Sequence, residues 1–402
     1  MAGFRRSRQR RRAPWWRRYR LALVAGGVAL AALVIILAIV AHNRPRGGDQ
    51  AVSALARQNP TQAEVPSPTE VPSPAPTVVP LAATASPAPL GASAAERALT
   101  RPAATAPGFL PVFGRANTEE KVVAITVDDC FQAENLRAMV DAALENGAKL
   151  TIFPIGENVL RTAQAEVLKY AWEHGFELEN HTFTHNGLYA CSDAELAAEV
   201  YKQQLALSSV LGVEYQCHFL RPLGGSASWD QRIHAYAGQL GYYGIAHWSG
   251  SSGSGTVSDR KLAEQLQPGV IFLFHTTDKD RDKLVRFIPW VIAQGYQLVT
   301  LNELFGYPEN ETAPLTKDIR AYEIPPLQPY ERVYVPYKKP SYAYGVYLLQ
   351  EKLIEMGYLS GEPDGIYGGQ CVAAVQKYQK DHGLEQTGVA DAELQRQIFE
   401  GN

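Results

Sequence analysis

The sequence predicts an α/β architecture of repeated strand and helix units over residues 110–308, with one transmembrane helix before it and a small all-α three-helix domain after it. Three observations carry that prediction. Seven short apolar runs alternate with amphipathic stretches between residues 121 and 301; residues 21–41 are uncharged and apolar; and residues 343–402 show helical apolar spacing broken by Gly and Asp turns.

Residues 1–20 hold nine of the 38 Lys and Arg and no acid, which leaves 29 basic against 41 acidic residues beyond them. The net charge of −3 therefore hides a basic tail on an acidic chain. The run LALVAGGVALAALVIILAIVA at 21–41 is long enough to cross a bilayer, because about 20 residues rising ~1.5 Å each match the ~30 Å hydrocarbon core. A cleaved signal peptide has a similar layout with a shorter apolar core, so an uncleaved anchor is the expectation, with 1–20 cytoplasmic and the rest of the chain outside. The arginines then serve as an orientation signal, with Trp15, Trp16 and Tyr19 near the interface, and no nucleic-acid role is expected.

Residues 42–109 are rich in Pro, Ala, Ser and Thr, with EVPSP at 64–68 and again at 70–74, and read as an extended linker that cannot bury much apolar surface. Cysteines at 130, 191, 217 and 371 are sparse for a disulfide scaffold. A Cys191–Cys217 bridge is one reading and unpaired buried thiols are the other.

KVVAITV at 121–127 reads as a buried strand, followed by a helix over 134–146 with Leu136, Val140 and Leu144 on one face. KLTIFPIG, a helical stretch around 160–174, and FELEN come next, then a longer helix starting at Glu195-Leu196 with Asp193 as its cap. HFLRP at 218–222, YYGIAHW at 242–248, GVIFLFH at 269–275 and YQLVTL at 296–301 complete the strands. The alternation suits a barrel or an open parallel sheet.

A barrel gathers chemistry at the C-terminal ends of its strands. Asp128 and Asp129 end the first strand, Asn180 and His181 the third, Arg221 the fourth, His247 and Trp248 the fifth, and His275 the sixth. Packing alone does not call for these groups there, since unpaired buried charge is costly. HTFTH sets His181 and His185 four positions apart, and two imidazoles with one carboxylate suit Zn²⁺ or another divalent transition metal. Hydrolysis needs a base for the attacking water and an acid for the departing atom. The two aspartates can divide metal binding and base, and His275 can supply the acid.

With TVDD at 126–129, HTFTH at 181–185, RP at 221–222 and LFH at 273–275 in this order, residues 121 to about 305 resemble the NodB-like polysaccharide deacetylase family, carbohydrate esterase family 4. The resemblance implies a distorted (β/α) barrel in which Asp129, His181 and His185 hold a divalent metal, with Zn²⁺ expected first and Co²⁺ or another transition metal as alternatives. It also implies Asp128 as the base, Arg221 orienting that base and His275 as the acid. Trp248 and Leu273 become candidates for seating an acetyl methyl group, and the Gly224 amide for donating to an oxyanion.

Two departures stand out. The third motif reads Arg221-Pro222-Leu223-Gly224-Gly225 where the family commonly has Arg-Pro-Pro-Tyr, so an aromatic wall is lost. The fourth, HWSGSSGSG, lacks the usual Asp near Trp248, and Asp259 is too far along to replace it. A His275 held less firmly is the expected consequence, which keeps open the alternative of a weakly active or non-catalytic glycan-binding protein.

Residues 309–342 carry Pro325, Pro326, Pro329, Pro336 and Pro340 and read as a second linker. In 343–402, Val346, Leu349, Leu353 and Met356 mark one helical face, Val375 and Tyr378 a second, and Leu394 and Ile398 a third. LQEKLIEMGY, DGIYG, AAVQKYQ and GLEQTG resemble a three-helix peptidoglycan-binding domain, with Cys371 where that family often has a capping Thr. Together the resemblances imply removal of N-acetyl groups from an N-acetylglucosamine-containing polymer, most directly peptidoglycan, by a single-pass protein at a bacterial wall. The expected partners are that glycan and the membrane, with no specific protein partner.

Overall fold

The computed structural model describes residues 91–225 and 230–401, all within one compact unit, Pro80–Asn402. The basic tail, the apolar span and the linker up to residue 90 lie outside the described residues. Among the described residues no helix is long and apolar enough to cross a membrane.

Among the described residues eleven strands occur in chain order: β1 Val112–Phe113, β2 Val122–Asp129, β3 Thr151–Pro154, β4 Glu177–Leu178, β5 Val213–Tyr215, β6 Phe219–Leu220, β7 Gly244–Ala246, β8 Gly250–Ser251, β9 Ile271–His275, β10 Gln297–Val299 and β11 Thr312–Pro314. The seven strands expected from the sequence are all present as β2, β3, β4, β6, β7, β9 and β10. The central one, β2, is buried over all eight residues. It pairs in parallel with β9 on one edge and with β3 on the other. Ala124 pairs with both Ile271 and Val299, so β10 must share the β3 edge, below β3.

The ring continues through β4 to a single parallel bridge, Asn180 to Leu220, then through β6 and β7. Residues 247–249 lead from β7 into β8, which pairs with β9 and closes the circuit. This is the distorted barrel. Its weak seam lies between β4 and β6, where the Glu179 carboxylate accepts the His218 and Phe219 N–H groups at 2.8 Å each, standing in for strand carbonyls.

Alternation along the strands sorts the core into two layers. Val122, Ala124, Phe153, Phe219, Ala246 and Ile271 fill the barrel interior. Val123, Ile125, Val127, Phe272 and Phe274 face outward against helical residues such as Leu136, Met139, Leu284 and Phe287. Burial on both faces explains why these strands read as continuous apolar runs.

The predicted helices fall at Ala133–Glu145, Thr162–Glu173 and Asp193–Leu211. The cap of the third is Ser192 and not Asp193. Ser192 accepts from the Glu195 N–H while the Glu195 side chain returns to Ser192, so the Ser-x-x-Glu capping box takes the end and Asp193 becomes the first helical residue. The four cysteines are free thiols, so no Cys191–Cys217 bridge forms.

The C-terminal helices are Tyr344–Glu355, Gly369–Asp381 and Ala392–Glu400, closing on Val346, Leu349, Leu353, Val375, Tyr378, Leu394 and Ile398. Met356, expected on the first face, is instead the C-cap and 39% exposed, because the chain turns away at Gly357. Gly368 occupies the second N-cap without a side-chain bond, and Cys371 lies inside the helix with its thiol on the Ile366 carbonyl at 3.4 Å.

The Pro-rich stretch 309–342 runs along the surface with fixed partners. β11 pairs antiparallel with β5, Tyr236 donates to the Pro325 carbonyl at 2.7 Å, and Val335 and Tyr337 join the core of the three-helix module. Phe109 joins that core from the other side.

Candidate metal centre and active site

Adjacent residues on a strand face opposite sides, so Asp128 and Asp129 should diverge. They converge because Asp129 leaves β2 with φ +70° and Cys130 follows with φ +60°. Left-handed backbone costs roughly 1 kcal/mol or more at a non-glycine residue and needs support. Asn158 supplies it by donating to the Asp129 carbonyl at 2.8 Å, joined by the Ile155 N–H at 3.3 Å. The result is that Asp129 Oδ1 and Asp128 Oδ2 approach one imidazole nitrogen, His181 Nε2, at 3.3 and 3.6 Å.

The histidine loop is held as firmly. Asn180 Oδ1 accepts the Thr182 N–H at 2.9 Å, and Glu199 accepts the Phe183 and Thr184 N–H groups at 3.1 and 2.9 Å and the Thr184 hydroxyl at 2.7 Å. Thr182 and His185 take φ +65° and +63°, which folds the loop so that both imidazoles face Asp129. His185 Nε2 stands 3.6 Å from Asp129 Oδ1.

Three observations show that this set suits a divalent ion. First, His181 Nδ1–H donates to the Arg221 carbonyl at 2.5 Å; a carbonyl can only accept, so the tautomer leaves the Nε2 lone pair facing Asp129. Second, donors about 2.1 Å from a tetrahedral ion stand about 3.4 Å apart, and the observed separations from Asp129 Oδ1 are 3.3 and 3.6 Å. Third, Asp129 Oδ1 is buried without a hydrogen-bond partner. Asp129, His181 and His185 are the candidate metal cluster among the described residues.

Burial pushes the Asp129 carboxyl up, but the surrounding imidazoles of His181, His185 and His275 outweigh this and hold it below the usual range. Burial and His181 push the His185 imidazole down. Both shifts favour the ligating forms, carboxylate and neutral imidazole.

Asp128 is 2% exposed and takes a charge-assisted bond from Arg221 Nη1 at 2.7 Å. Arg221 is fully buried and extends over the Phe153 ring, with its remaining N–H groups on Thr126 Oγ1 at 2.7 Å and the His247 carbonyl at 3.0 Å. Backbone and hydroxyl oxygens therefore fix the guanidinium without a second carboxylate. The ion pair leaves Asp128 Oδ2 facing the metal donors.

His275 ends β9 on the rim, where its Nδ1 meets Ser254 Oγ at 3.3 Å and Asp280 Oδ2 at 3.6 Å. Asp280 is fully buried and accepts the His275 backbone N–H at 2.8 Å. Burial works against a charged His275, but Asp280 and the aspartates 128 and 129 outweigh it, raising the imidazole above its ordinary range. The poorly held His275 expected from the acid-free fourth motif is thus corrected: the carboxylate comes from the following helix, Asp278–Ala293. Sequence reading missed Asp280 because TTDKD also reads as an ordinary N-terminus, and Thr277 is indeed its cap. The one signal was spacing, five residues beyond His275.

Leu273 lies between Ile271 and His275 on the inward side of β9 and is 5% exposed. Trp248 stacks on His247 with centroids 4.4 Å apart and stands 5.7 Å from the Arg221 guanidinium. Gly224 and Gly225 both take φ +63°. A Cβ on Gly225 would stand 2.6 Å from His247 Nε2 and 3.2 Å from Trp248, so the glycine leaves room for the stacked pair. Gly224 is exposed in the same turn with open space around it.

Residues 115–245 match the family described as polysaccharide deacetylase, and residues 343–398 match the putative peptidoglycan binding domain. A chitooligosaccharide deacetylase of Bradyrhizobium is 27% identical over 222 residues, covering 49% of this chain and 98% of that protein. A peptidoglycan-N-acetylglucosamine deacetylase of Bacillus cereus is 26% identical over 193 residues, covering 46% and 68%. Among solved structures, peptidoglycan deacetylase PdaC from Bacillus subtilis is similar at 23% identity and TM-score 0.42 over 46% of this chain and 90% of that one. A CE4 family pseudoenzyme from Bacillus anthracis is similar at 21% identity and TM-score 0.44 over 48% and 68%. One family thus matches much of the barrel and the other the helical module: the chain carries a polysaccharide deacetylase domain followed by a peptidoglycan-binding domain.

Proposed function

We propose that this protein hydrolyses the N-acetyl group of N-acetylglucosamine units in peptidoglycan, releasing acetate and leaving an amine, with a divalent ion, Zn²⁺ first, as cofactor. The observation that carries the reading is the convergence of Asp129, His181 and His185 on one rim with Asp128 and with His275, its register partner on β9.

A divalent ion held by Asp129, His181 and His185 supplies Lewis acidity toward the amide carbonyl and lowers the pKa of water. Asp128, oriented by Arg221, accepts the proton of the attacking water as its oxygen bonds to the carbonyl carbon. The exposed Gly224 amide is the assigned donor to the developing oxyanion. His275, held by Asp280, gives its proton to the nitrogen as the C–N bond breaks, so acetate leaves and the sugar keeps an amine. Leu273 and Trp248 seat the methyl group.

The peptidoglycan-binding domain supports a wall polymer as substrate. Anchoring by residues 21–41, with the barrel outside, is the matching localisation; a tether and a binding module both raise the local concentration of enzyme at an insoluble polymer. The rival reading is an anchored glycan-binding protein with little turnover, favoured by the acid-free fourth motif and opposed by Asp280 beside His275.

Mass spectrometry of peptidoglycan after incubation with fragment 91–402 tests the proposal. Acetyl loss from glucosamine units, abolished in H181A/H185A, is the expected result. Wall binding with no acetate from any N-acetylated polymer would favour the rival, and new reducing ends without acetate would point to glycan cleavage.

A further inference from the structure

The loop that supplies His185 is fastened at its far end to the C-terminal module. Directly after His185 the chain makes a short turn at Leu188–Ala190, and the carbonyls of Leu188 and Cys191 both accept from Arg232, at 3.0 and 2.7 Å. Arg232 is 2% exposed and paired with Asp230, itself 1% exposed, at 3.3 Å. The same two residues meet the module. Asp230 Oδ2 accepts the Tyr344 backbone N–H at 2.9 Å, and the Tyr344 ring lies flat under the Arg232 guanidinium with its centroid 3.7 Å away. A second contact runs beside the first: Tyr189 packs against Tyr342 with centroids 5.8 Å apart, and Gly365 leaves so little room that a Cβ would stand 2.9 Å from the Tyr189 ring.

This chemistry exceeds what a tether requires. A buried guanidinium that bridges two carbonyls of one loop and stacks on an aromatic ring uses the planar fork of arginine, which lysine cannot reproduce. His185 sits at φ +63°, a conformation that persists only where surrounding contacts over-determine it. Glu199 holds the loop before His185, and Arg232 holds it after.

We propose that the peptidoglycan-binding module is a positioning element for the metal centre, acting through Tyr344 on Arg232 and through Arg232 on the 186–191 segment that follows His185. The inference rests on the metal-site reading above. Docking of the module is then part of building a competent site, and Arg232 and Tyr344 are positioning residues that touch neither ion nor substrate.

The test uses the full chain stripped with a chelator and titrated calorimetrically with Zn²⁺, alongside Y344A, Y344F and R232K. Residues supporting metal ligands change affinity by about 10-fold or more when lost. Y344A and R232K are expected to bind Zn²⁺ several-fold to about 10-fold more weakly, while Y344F, which keeps ring and backbone, matches the parent. Amide hydrogen exchange over residues 183–191 gives a second readout, expected to quicken in Y344A without acceleration in β2 or β9. Unchanged affinity and unchanged exchange in a folded Y344A would overturn the proposal. If the parent binds no divalent ion, the metal reading fails, and exchange at 183–191 still decides the coupling.

Discussion

Asp280 Oδ2 lies 3.6 Å from His275 Nδ1 and accepts the backbone N–H of the same histidine at 2.8 Å. One fully buried carboxylate thus holds both the strand end and the ring. D280N keeps the shape and removes the charge that helps raise His275. The protonated imidazole is then lost at lower pH, so the alkaline limb of the kcat/KM profile for acetate release should move to lower pH. The kcat at the optimum should fall about 10-fold, short of the 10²–10⁴-fold expected for losing the acid outright in H275A. Coincident profiles for D280N and the parent would exclude this role.

Arg221 touches both halves of the site through different atoms. Its side chain holds Asp128, while its backbone carbonyl holds His181. R221K should therefore retain Zn²⁺ affinity within about threefold while kcat falls about 10²-fold or more, because the base loses its orienting fork. Calorimetry on the stripped protein and acetate release separate the two effects. Melting temperature should also drop, since the buried Asp128 loses its best partner.

Glu177 is buried at the foot of the barrel, where burial is the main cause lifting its carboxyl to about 7. The native state therefore holds a proton that the unfolded chain releases near 4.5, and stability falls as pH rises from that value through 7. E177Q retains an acceptor for the Asn302 N–H and removes the ionisation. It should melt close to the parent at pH 5 and higher at pH 8, by several degrees if the relief is on the order of 1–3 kcal/mol. Equal pH dependence of melting in both proteins would argue against a native-state proton on Glu177.

The two rim glycines should respond unequally. G224A meets open space and bears only the left-handed backbone penalty, about 1 kcal/mol. G225A places a methyl group 2.6 Å from His247 and must displace the His247–Trp248 stack. Denaturant unfolding should show a loss of about 2–3 kcal/mol for G225A. Its KM for a polymeric substrate should rise more than that of G224A, and equal KM values would separate Trp248 from substrate binding.

The legible parts of this protein were those written into short stretches of chain. β2 was evident because burial on both faces demands uninterrupted apolar residues, and Leu349, Leu353, Val375 and Tyr378 announced a helical module by their spacing. His181, His185 and an acid of TVDD could be named because imidazoles and carboxylates at strand ends have few packing roles, and the choice of Asp129 over Asp128 came from the resemblance to the deacetylase family. The cap at Ser192 was misassigned because a neighbouring acid competes for the same position, and only the reciprocal bonds with Glu195 decide between them.

What sequence indicated by itself was therefore a pair of histidines and an acidic strand end as candidate donors, the strand interiors, and an α/β part followed by a helical one, all properties of local pattern and side-chain chemistry. Tertiary structure alone decided that Asp280 supports His275 and that Arg232 links Tyr344 to the His185 loop. It also decided that Glu179 bridges the barrel seam. The reason is physical: a charged residue on a helix or loop looks solvent-facing until packing removes the water, and which partner it then meets depends on the path of chain segments far away in sequence.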